Sequence, residues 1–276
     1  MSHQITYLVA NYNNGKYIQD CLNSLLAQTN NQWLCLIADD KSTDNSLEII
    51  APFLSDKITL LQHEQNLGYI ATLITLIENA KTDIVGILDP DDALEAEATE
   101  FVLKTYNNSP EAGLVYSKYD VYNEDLTLKI STGYSHKIPS KETSLFRGFI
   151  SHLKTFRRTI YGKTKGLDQS MLYAEDRDLV FKLEEVSSVI FIDRVLYKYR
   201  YLENSQSHEL EKQRIGDENY RRAYRNALNR RQIKGKQKFA HLLLFYSRQL
   251  GYRMLPNSLF HWFQLVVEKI ALFLVK

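Results

Sequence analysis

Four short apolar runs, each ending in polar residues and separated by stretches of helical periodicity, constrain this chain more than anything else in it. Ile5–Ala10 leads into Asn11-Tyr12-Asn13-Asn14-Gly15, and Lys16–Gln28 then sets Ile18, Cys21, Leu22, Leu25 and Leu26 on one helical face. Trp33–Ala38 ends in Asp39-Asp40-Lys41-Ser42-Thr43-Asp44, followed by a helix expected to turn Leu47, Ile50 and Leu54 inward. Ile58–Gln62 is the third run, and Asn66-Leu67-Gly68 turns into a helix with Ile70, Leu73, Ile74 and Ile77 on one face. Ile84–Leu88 is the fourth. The order β-α-β-α-β-α-β predicts an α/β fold with a parallel, doubly wound sheet. Right-handed crossovers then bring all four polar strand ends to one edge.

The fourth run stops abruptly in Asp89-Pro90-Asp91-Asp92. Pro90 cannot donate to a ladder, so the strand ends there. Three carboxylates are thus expected where open α/β sheets bind ligands. They repel one another unless a cation or a donor-rich ligand offsets them. Hard oxygen ligands suit Mg²⁺ or Mn²⁺, which commonly bridge to phosphates. The bland reading has Asp92 capping a helix that starts at Ala93, with the other two acids facing water. One acid explains a cap; three do not.

The same edge collects Tyr12, an aromatic face for stacking a base, and Asp39, an acceptor for a base N–H or a ribose hydroxyl. Taken singly, each fits an ordinary surface aromatic or loop cap. Together with a metal site they read as a nucleotide pocket. No Gly-x-Gly-x-x-Gly follows the first run and no Gly-x-x-x-x-Gly-Lys occurs, which disfavours dinucleotide dehydrogenases and P-loop enzymes.

Net charge is only +1, yet Leu210–Arg253 holds 12 Lys/Arg against 3 Asp/Glu, leaving the rest of the chain near −8. An acidic body with a basic tail hints at an anionic partner. Cys21 and Cys35 have no Cys-x-x-Cys spacing and no His/Cys cluster, so both are expected as core thiols in a reducing compartment. The N-terminus shows no leader pattern, and no uncharged apolar run is long enough to span a bilayer.

In the second half, Leu114–Val121 and Leu126–Ser131 look like a hairpin in a mixed sheet. Phe146–Arg158 carries His152, Lys154, Arg157 and Arg158. Tyr173-Ala174-Glu175-Asp176-Arg177-Asp178-Leu179 opens a helix with Leu179, Leu183 and Val186 inward, and Val189–Ile192 and Val195–Tyr201 read as further strands. Glu175 and Asp176 also suit a positive helix N-terminus without any chemistry. Gln206–Lys234 is a polar, basic helical stretch. Phe239–Tyr252 and Leu259–Val275 are apolar helices, the last with a polar stripe of His261, Gln264 and Glu268.

In order and spacing these motifs resemble the family 2 glycosyltransferases, over Ile5 to about Ser207. The resemblance rests on Val9-Ala10-Asn11-Tyr12-Asn13, Asp39-Asp40-Lys41-Ser42-Thr43-Asp44, Asn66-Leu67-Gly68 and Leu88-Asp89-Pro90-Asp91-Asp92. It continues through Gly166-Leu167-Asp168, Glu175-Asp176 and Tyr199-Arg200 with Ser205 and Ser207. It implies a GT-A fold: a Rossmann-like mixed sheet with helices on both faces. The glycosyltransferase domain would span 1–207 and the basic, amphipathic helical tail 208–276. The implied reaction moves a sugar from a nucleotide diphosphate, usually UDP, with inversion. Ala10, Tyr12, Asp39, Asn66, Gly68 and Asp89 are implied at the nucleotide, Asp91 with Asp89 at Mn²⁺ or Mg²⁺, and Asp176 as catalytic base. Glu175, Asp92 and Arg200 are implied near the donor sugar or the acceptor.

Three positions depart from the family pattern. Ala10 stands where proline is frequent, Leu73-Ile74 where Arg-Asn is frequent, and Leu202 near the place of a histidine. The resemblance implies a glycan or lipid-linked acceptor and a cytoplasmic enzyme. The tail adds three alternatives: contact with the inner face of a membrane, a homodimer, or packing on the catalytic body. Nucleic acid is not expected as a partner. Two alternatives stand beside glycosyl transfer: a nucleotidyltransferase, which would need a basic phosphate loop where only Lys16 is available, and a catalytically silent sugar-nucleotide-binding module.

Overall fold

The computed structural model describes residues 4–140, 142–202, 210–254, 266–267 and 269–270. Strands β1 (Ile5–Asn11), β2 (Trp33–Asp39), β3 (Ile58–Gln62) and β4 (Ile84–Ile87) run parallel in the order β3-β2-β1-β4. Beyond β4 the sheet is mixed. The three-residue β8 (Thr155–Arg157) lies antiparallel between β4 and β6 (Ala112–Tyr122). On the far side of β6, β9 (Ser188–Arg200) pairs in parallel and carries the two-residue β5 (Ala93–Leu94) antiparallel to it. The exposed β7 (Lys129–Thr132) forms the expected hairpin with β6. The first four strands form the expected parallel sheet, and the strands added beyond β4 make the whole sheet mixed, as expected. β8 is too short to leave a periodicity in the sequence.

The burial pattern follows from the period of two along each strand. Ile5, Tyr7 and Val9 of β1, with Trp33, Cys35 and Ile37 of β2, face one core, while Leu8, Ala10, Leu36 and Ala38 face the other. Helices α1 (Ile18–Leu26) and α4 (Ala98–Asn108) cover the first face; α3 (Tyr69–Asn79) and α7 (Glu175–Val186) cover the second. Both cysteines are buried free thiols, as expected.

Three local expectations are corrected. Helix α2 (Ser46–Ile50) gives way to a 3₁₀ turn at Ala51–Phe53, so Leu54 emerges on extended backbone, 44% exposed. Val186 is the last residue of α7 and lies 40% exposed. The two strands read in 189–201 are one strand. Its register against β6 slips between Ile192 and Val195, so that Asp193 and Arg194 form the interruption that looked like a gap. Two four-residue helices, α5 (Ser144–Arg147) and α6 (Arg158–Tyr161), complete the body.

The tail folds onto the body through α8 (Leu210–Arg230) and α9 (Gly235–Met254). Ala223, Tyr224, Ala227 and Leu228 of α8, with Phe245 of α9, share a core with Leu145, Met171 and Phe181. Part of the basic surplus is used here: Arg230 pairs with Glu185 at 2.6 Å and Arg231 with Glu184 at 2.8 Å, both on α7. Of the expected helix 259–275, only Val266, Val267, Lys269 and Ile270 fall among the described residues, and Val267 packs on Ala240 and Leu244. No described helix is long and apolar enough to cross a membrane.

Tyr224 is buried and its hydroxyl donates to the His241 carbonyl at 3.0 Å. Tyr224→Ala should therefore cost about 3–5 kcal/mol in urea unfolding, as for other large aromatic truncations. An unchanged midpoint would mean that α8 adds nothing to the stability of the body.

Candidate active site

The expected edge exists: the carboxyl ends of β1, β2 and β4 meet in register, Asn11 beside Asp39 and Leu8 beside Ile87. Tyr12 projects there, 44% exposed. Asp39 is buried and accepts from Asn11 Nδ2 at 2.7 Å, Ser42 Oγ at 2.6 Å and Ser42 N at 3.0 Å. Much of its carboxylate thus orders its own loop. Beside it Asn11 Oδ1 is buried without a hydrogen-bond partner among the described residues, an acceptor that a ligand donor would satisfy.

The neighbouring Asp40, to which the sequence reading gave no role, is the clamp of the Asn66-Leu67-Gly68 turn. Its two carboxylate oxygens accept Leu67 N and Gly68 N, each at 2.8 Å, and its carbonyl accepts Asn66 Nδ2 at 3.2 Å. His63 Nδ1 lies 2.8 Å from the same carboxylate. Gly68 sits at φ +86°, where a side chain would strain the backbone, and starts α3. Asn66 and Gly68 therefore shape the edge. Ala10 is the last buried residue on its face of β1.

At the end of β4 the acids separate in role. Asp92, 1% exposed, accepts the Tyr197 hydroxyl at 2.7 Å and the Arg200 amide at 2.7 Å. The β5–β9 pairing imposes this by setting Ala93 opposite Lys198; Asp92 caps no helix. Asp89 accepts the Tyr69 hydroxyl at 3.2 Å, and its amide donates to Tyr197 Oη at 3.2 Å. Arg200, expected at the sugar, is 2% exposed. Its Nε donates to the Asp91 carbonyl, Nη1 to the Glu124 carbonyl and Nη2 to Asp20 at 2.7 Å, so the guanidinium fastens the loop.

His152 completes this cluster from the approach to β8. Its ring stacks on Tyr197 at 4.6 Å, meets Tyr119 edge-on, and holds Nδ1 4.0 Å from Asp89 Oδ2. One ligand atom each from Asp89, Asp92 and His152 lies within 4.8 Å of the others. Asp91, expected as a metal ligand, is not one of the three. Burial, then the charge of Asp89, pushes the Asp91 carboxyl up to about 6. Burial and the other two acids push Asp92 well up, and burial raises Asp89 despite the charge of Lys154. Burial and the Lys154 charge hold His152 down at about 3, which leaves a neutral imidazole. Two carboxylates and a neutral imidazole suit a divalent cation such as Mn²⁺ or Mg²⁺.

Helix α7 opens with Glu175 and Asp176. The chain reaches them through Tyr173 at φ +62°, a strained conformation for a residue with a side chain. Asp176 accepts its neighbour's amide, Arg177 N, at 2.7 Å, and Lys154 Nζ approaches its other oxygen to 3.3 Å. Desolvation works to raise the Asp176 carboxyl, but the charges of Lys154 and Arg177 outweigh it and keep the group below the usual range. Burial and the Asp176 charge raise Glu175 to about 7, and its Oε2 has no hydrogen-bond partner among the described residues. Two adjacent carboxyls driven apart in this way are a frequent mark of a catalytic site. His152 and Lys154 sit two residues apart beside β4; nothing in their local sequence marks them as facing acids.

The family model for glycosyl transferase family 2 matches residues 6–165, and the chain belongs to that family. Among curated relatives it is 28% identical to the chondroitin synthase of Escherichia coli over 86% of this chain and 34% of that protein. It is 29% identical to the chondroitin synthase of Pasteurella multocida (strain Pm70) over 70% of this chain and 20% of that protein. The chain thus spans about a third or less of those proteins. The fold matches S. aureus TarS 1-349 in complex with UDP-GlcNAc, with a TM-score of 0.61 at 17% identity, over 95% of this chain and 70% of that one.

The raised Asp91 carboxyl sets a stability test. A carboxyl whose folded pKa lies above its unfolded value costs stability once pH rises past both, and costs nothing below both. In metal-free buffer, Asp91→Asn should raise the melting temperature at about pH 7.5 and leave it unchanged near about pH 3.5. A lower melting temperature at the higher pH would show that a cation of the protein already pairs Asp91.

Proposed function

We propose that this chain transfers a sugar, with inversion, from a UDP-sugar to a hydroxyl of a glycan or lipid-linked acceptor. The observation that carries the reading is the facing pair of sites: Asp89, Asp92 and His152 on one side, Asp176 with Lys154 on the other. The relatives, two chondroitin synthases, favour a growing polysaccharide as acceptor, and the UDP-GlcNAc bound to TarS favours a UDP donor. Family membership weighs against the nucleotidyltransferase alternative.

Each group has work that fits its surroundings. Tyr12 stacks the base, and Asp39 with Asn11 Oδ1 takes its donors at the carboxyl ends of β1 and β2. Asp89, Asp92 and His152 would hold Mn²⁺ or Mg²⁺. Such an ion, when bound, offsets the charge that develops on the departing diphosphate. Tyr197 steadies the two ligand acids by donating to the Asp92 carboxylate and accepting the Asp89 amide. Asp176 takes the proton of the acceptor hydroxyl as its oxygen bonds to the anomeric carbon and the bond to the diphosphate breaks. Glu175 Oε2, without a hydrogen-bond partner among the described residues, meets a hydroxyl of the donor sugar or acceptor.

The enzyme would work in the cytoplasm, with the basic tail at the inner face of a membrane where lipid-linked acceptors lie. The surplus of cations in Leu210–Arg253 supports this, less the arginines already paired with α7.

The test is UDP-sugar turnover by full-length protein with Mn²⁺, read as UDP release. Asp176→Asn should bind the donor at least as tightly as wild type and lose roughly 10²–10⁴-fold in turnover, the usual worth of a general base. Near-normal turnover would move the base to Glu175, since Asp178 is buried and paired with Lys182. In the nucleotide pocket, Asp39→Ala should weaken UDP far more than pyrophosphate; equal losses would leave Asp39 a loop-ordering residue only.

A further inference from the structure

The geometry points to Lys154 as the cation that receives the donor's diphosphate, passing to it from Asp176 when the donor binds. This rests on the nucleotide-sugar reading above and adds a residue and an order of events to it.

Lys154 lies where such a transfer is short. Its carbonyl accepts Ile87 N at 3.0 Å, which pins the residue beside the end of β4. Its side chain, 11% exposed, reaches Asp176 Oδ2 at 3.3 Å. Its charge acts on Asp89 as well as on Asp176, so it stands between the acids of β4 and the acid of α7.

The contact is loose for an ammonium and a carboxylate, which settle at about 2.7–2.9 Å when nothing competes. It also opposes the chemistry asked of Asp176. A base paired with an ammonium binds a proton poorly, and the acceptor hydroxyl needs a base that binds one well. The incoming diphosphate resolves both. It brings at least two negative charges into a site already holding Asp89, Asp91, Asp92, Glu175 and Asp176. The sequence has no glycine loop to cradle it. A metal ion offsets part of that charge, and Lys154 is a buried cation already beside Asp176. As its ammonium turns to the diphosphate, Asp176 loses its partner and gains proton affinity only once a donor is in place. No bond is made or broken in the transfer; Lys154 keeps its proton throughout.

Calorimetric titration of full-length protein with UDP and with UMP, both in saturating Mn²⁺, tests this, because only UDP carries the second phosphate. Lys154→Met should weaken UDP by about tenfold or more and UMP by less than about twofold, the worth of one charge-assisted contact. Lys154→Arg should keep the UDP-to-UMP ratio within about threefold of wild type. Asp176→Asn should tighten UDP and leave UMP unchanged, because the resting partner is gone. Unchanged UMP affinity also certifies that each variant is folded. If Lys154→Met leaves the UDP-to-UMP ratio as in wild type, Lys154 is only the counter-ion of Asp176 and the inference is wrong. If wild type binds neither nucleotide, the nucleotide-sugar reading itself falls, and this inference with it.

Discussion

Asp92 ties the two halves of the molecule together. Its buried carboxylate accepts the Arg200 amide and the Tyr197 hydroxyl of β9, 105 to 108 residues further along the chain. Arg200 then fastens the same loop to Glu124 and Asp20. A buried carboxylate is costly unless it is bonded, and here the bonds come from the strand that must be brought in to finish the sheet. The second half of the fold is thereby anchored at the point where the first half places its acids. Crowding Asp89, Asp91 and Asp92 gives up stability that a cation bound there would restore.

The other side of the site depends on the tail. Helix α7 presents Glu175 and Asp176 at its first turn and is held near its far end by Arg230 and Arg231 of α8. The shared core of Phe181, Tyr224 and Phe245 adds apolar area to those ion pairs. The residues beyond 207 are thus part of what orients the proposed base. Any attachment of the tail to a surface would be made with α8 still seated on α7.

The parallel β-α units were legible because each repeats one pattern, an apolar run and an amphipathic helix, long enough to reveal its period. The mixed half was less so. β8 is three residues long, and the slip at Asp193-Arg194 made β9 look like two strands. In the site, the strand-end acids were legible from the apolar runs they close, but which of them turns inward was not. Whether Asp91 or Asp92 turns inward depends on the two-residue pairing of β5 with β9. His152 and Lys154 face the acids because an antiparallel strand was inserted beside β4, a tertiary event with no local signal. Arg200 follows a tyrosine in a strand pattern, and only the fold shows that its guanidinium is fully used. Asp40 stood inside a quoted motif, yet its part as the clamp of a turn 26 residues away required the register of β2 beside β3.

The central claim is that the acids at the end of β4 hold, with His152, the ion that serves a nucleotide diphosphate. Crystals grown with Mn²⁺ and UDP, measured at the manganese absorption edge, address it directly. The account predicts one anomalous peak coordinated by His152 Nδ1 and by carboxylate oxygen of Asp89 and Asp92, with the diphosphate on its open side. A peak bound by Asp91 with His152 left uncoordinated, or UDP seated with no peak, would contradict it.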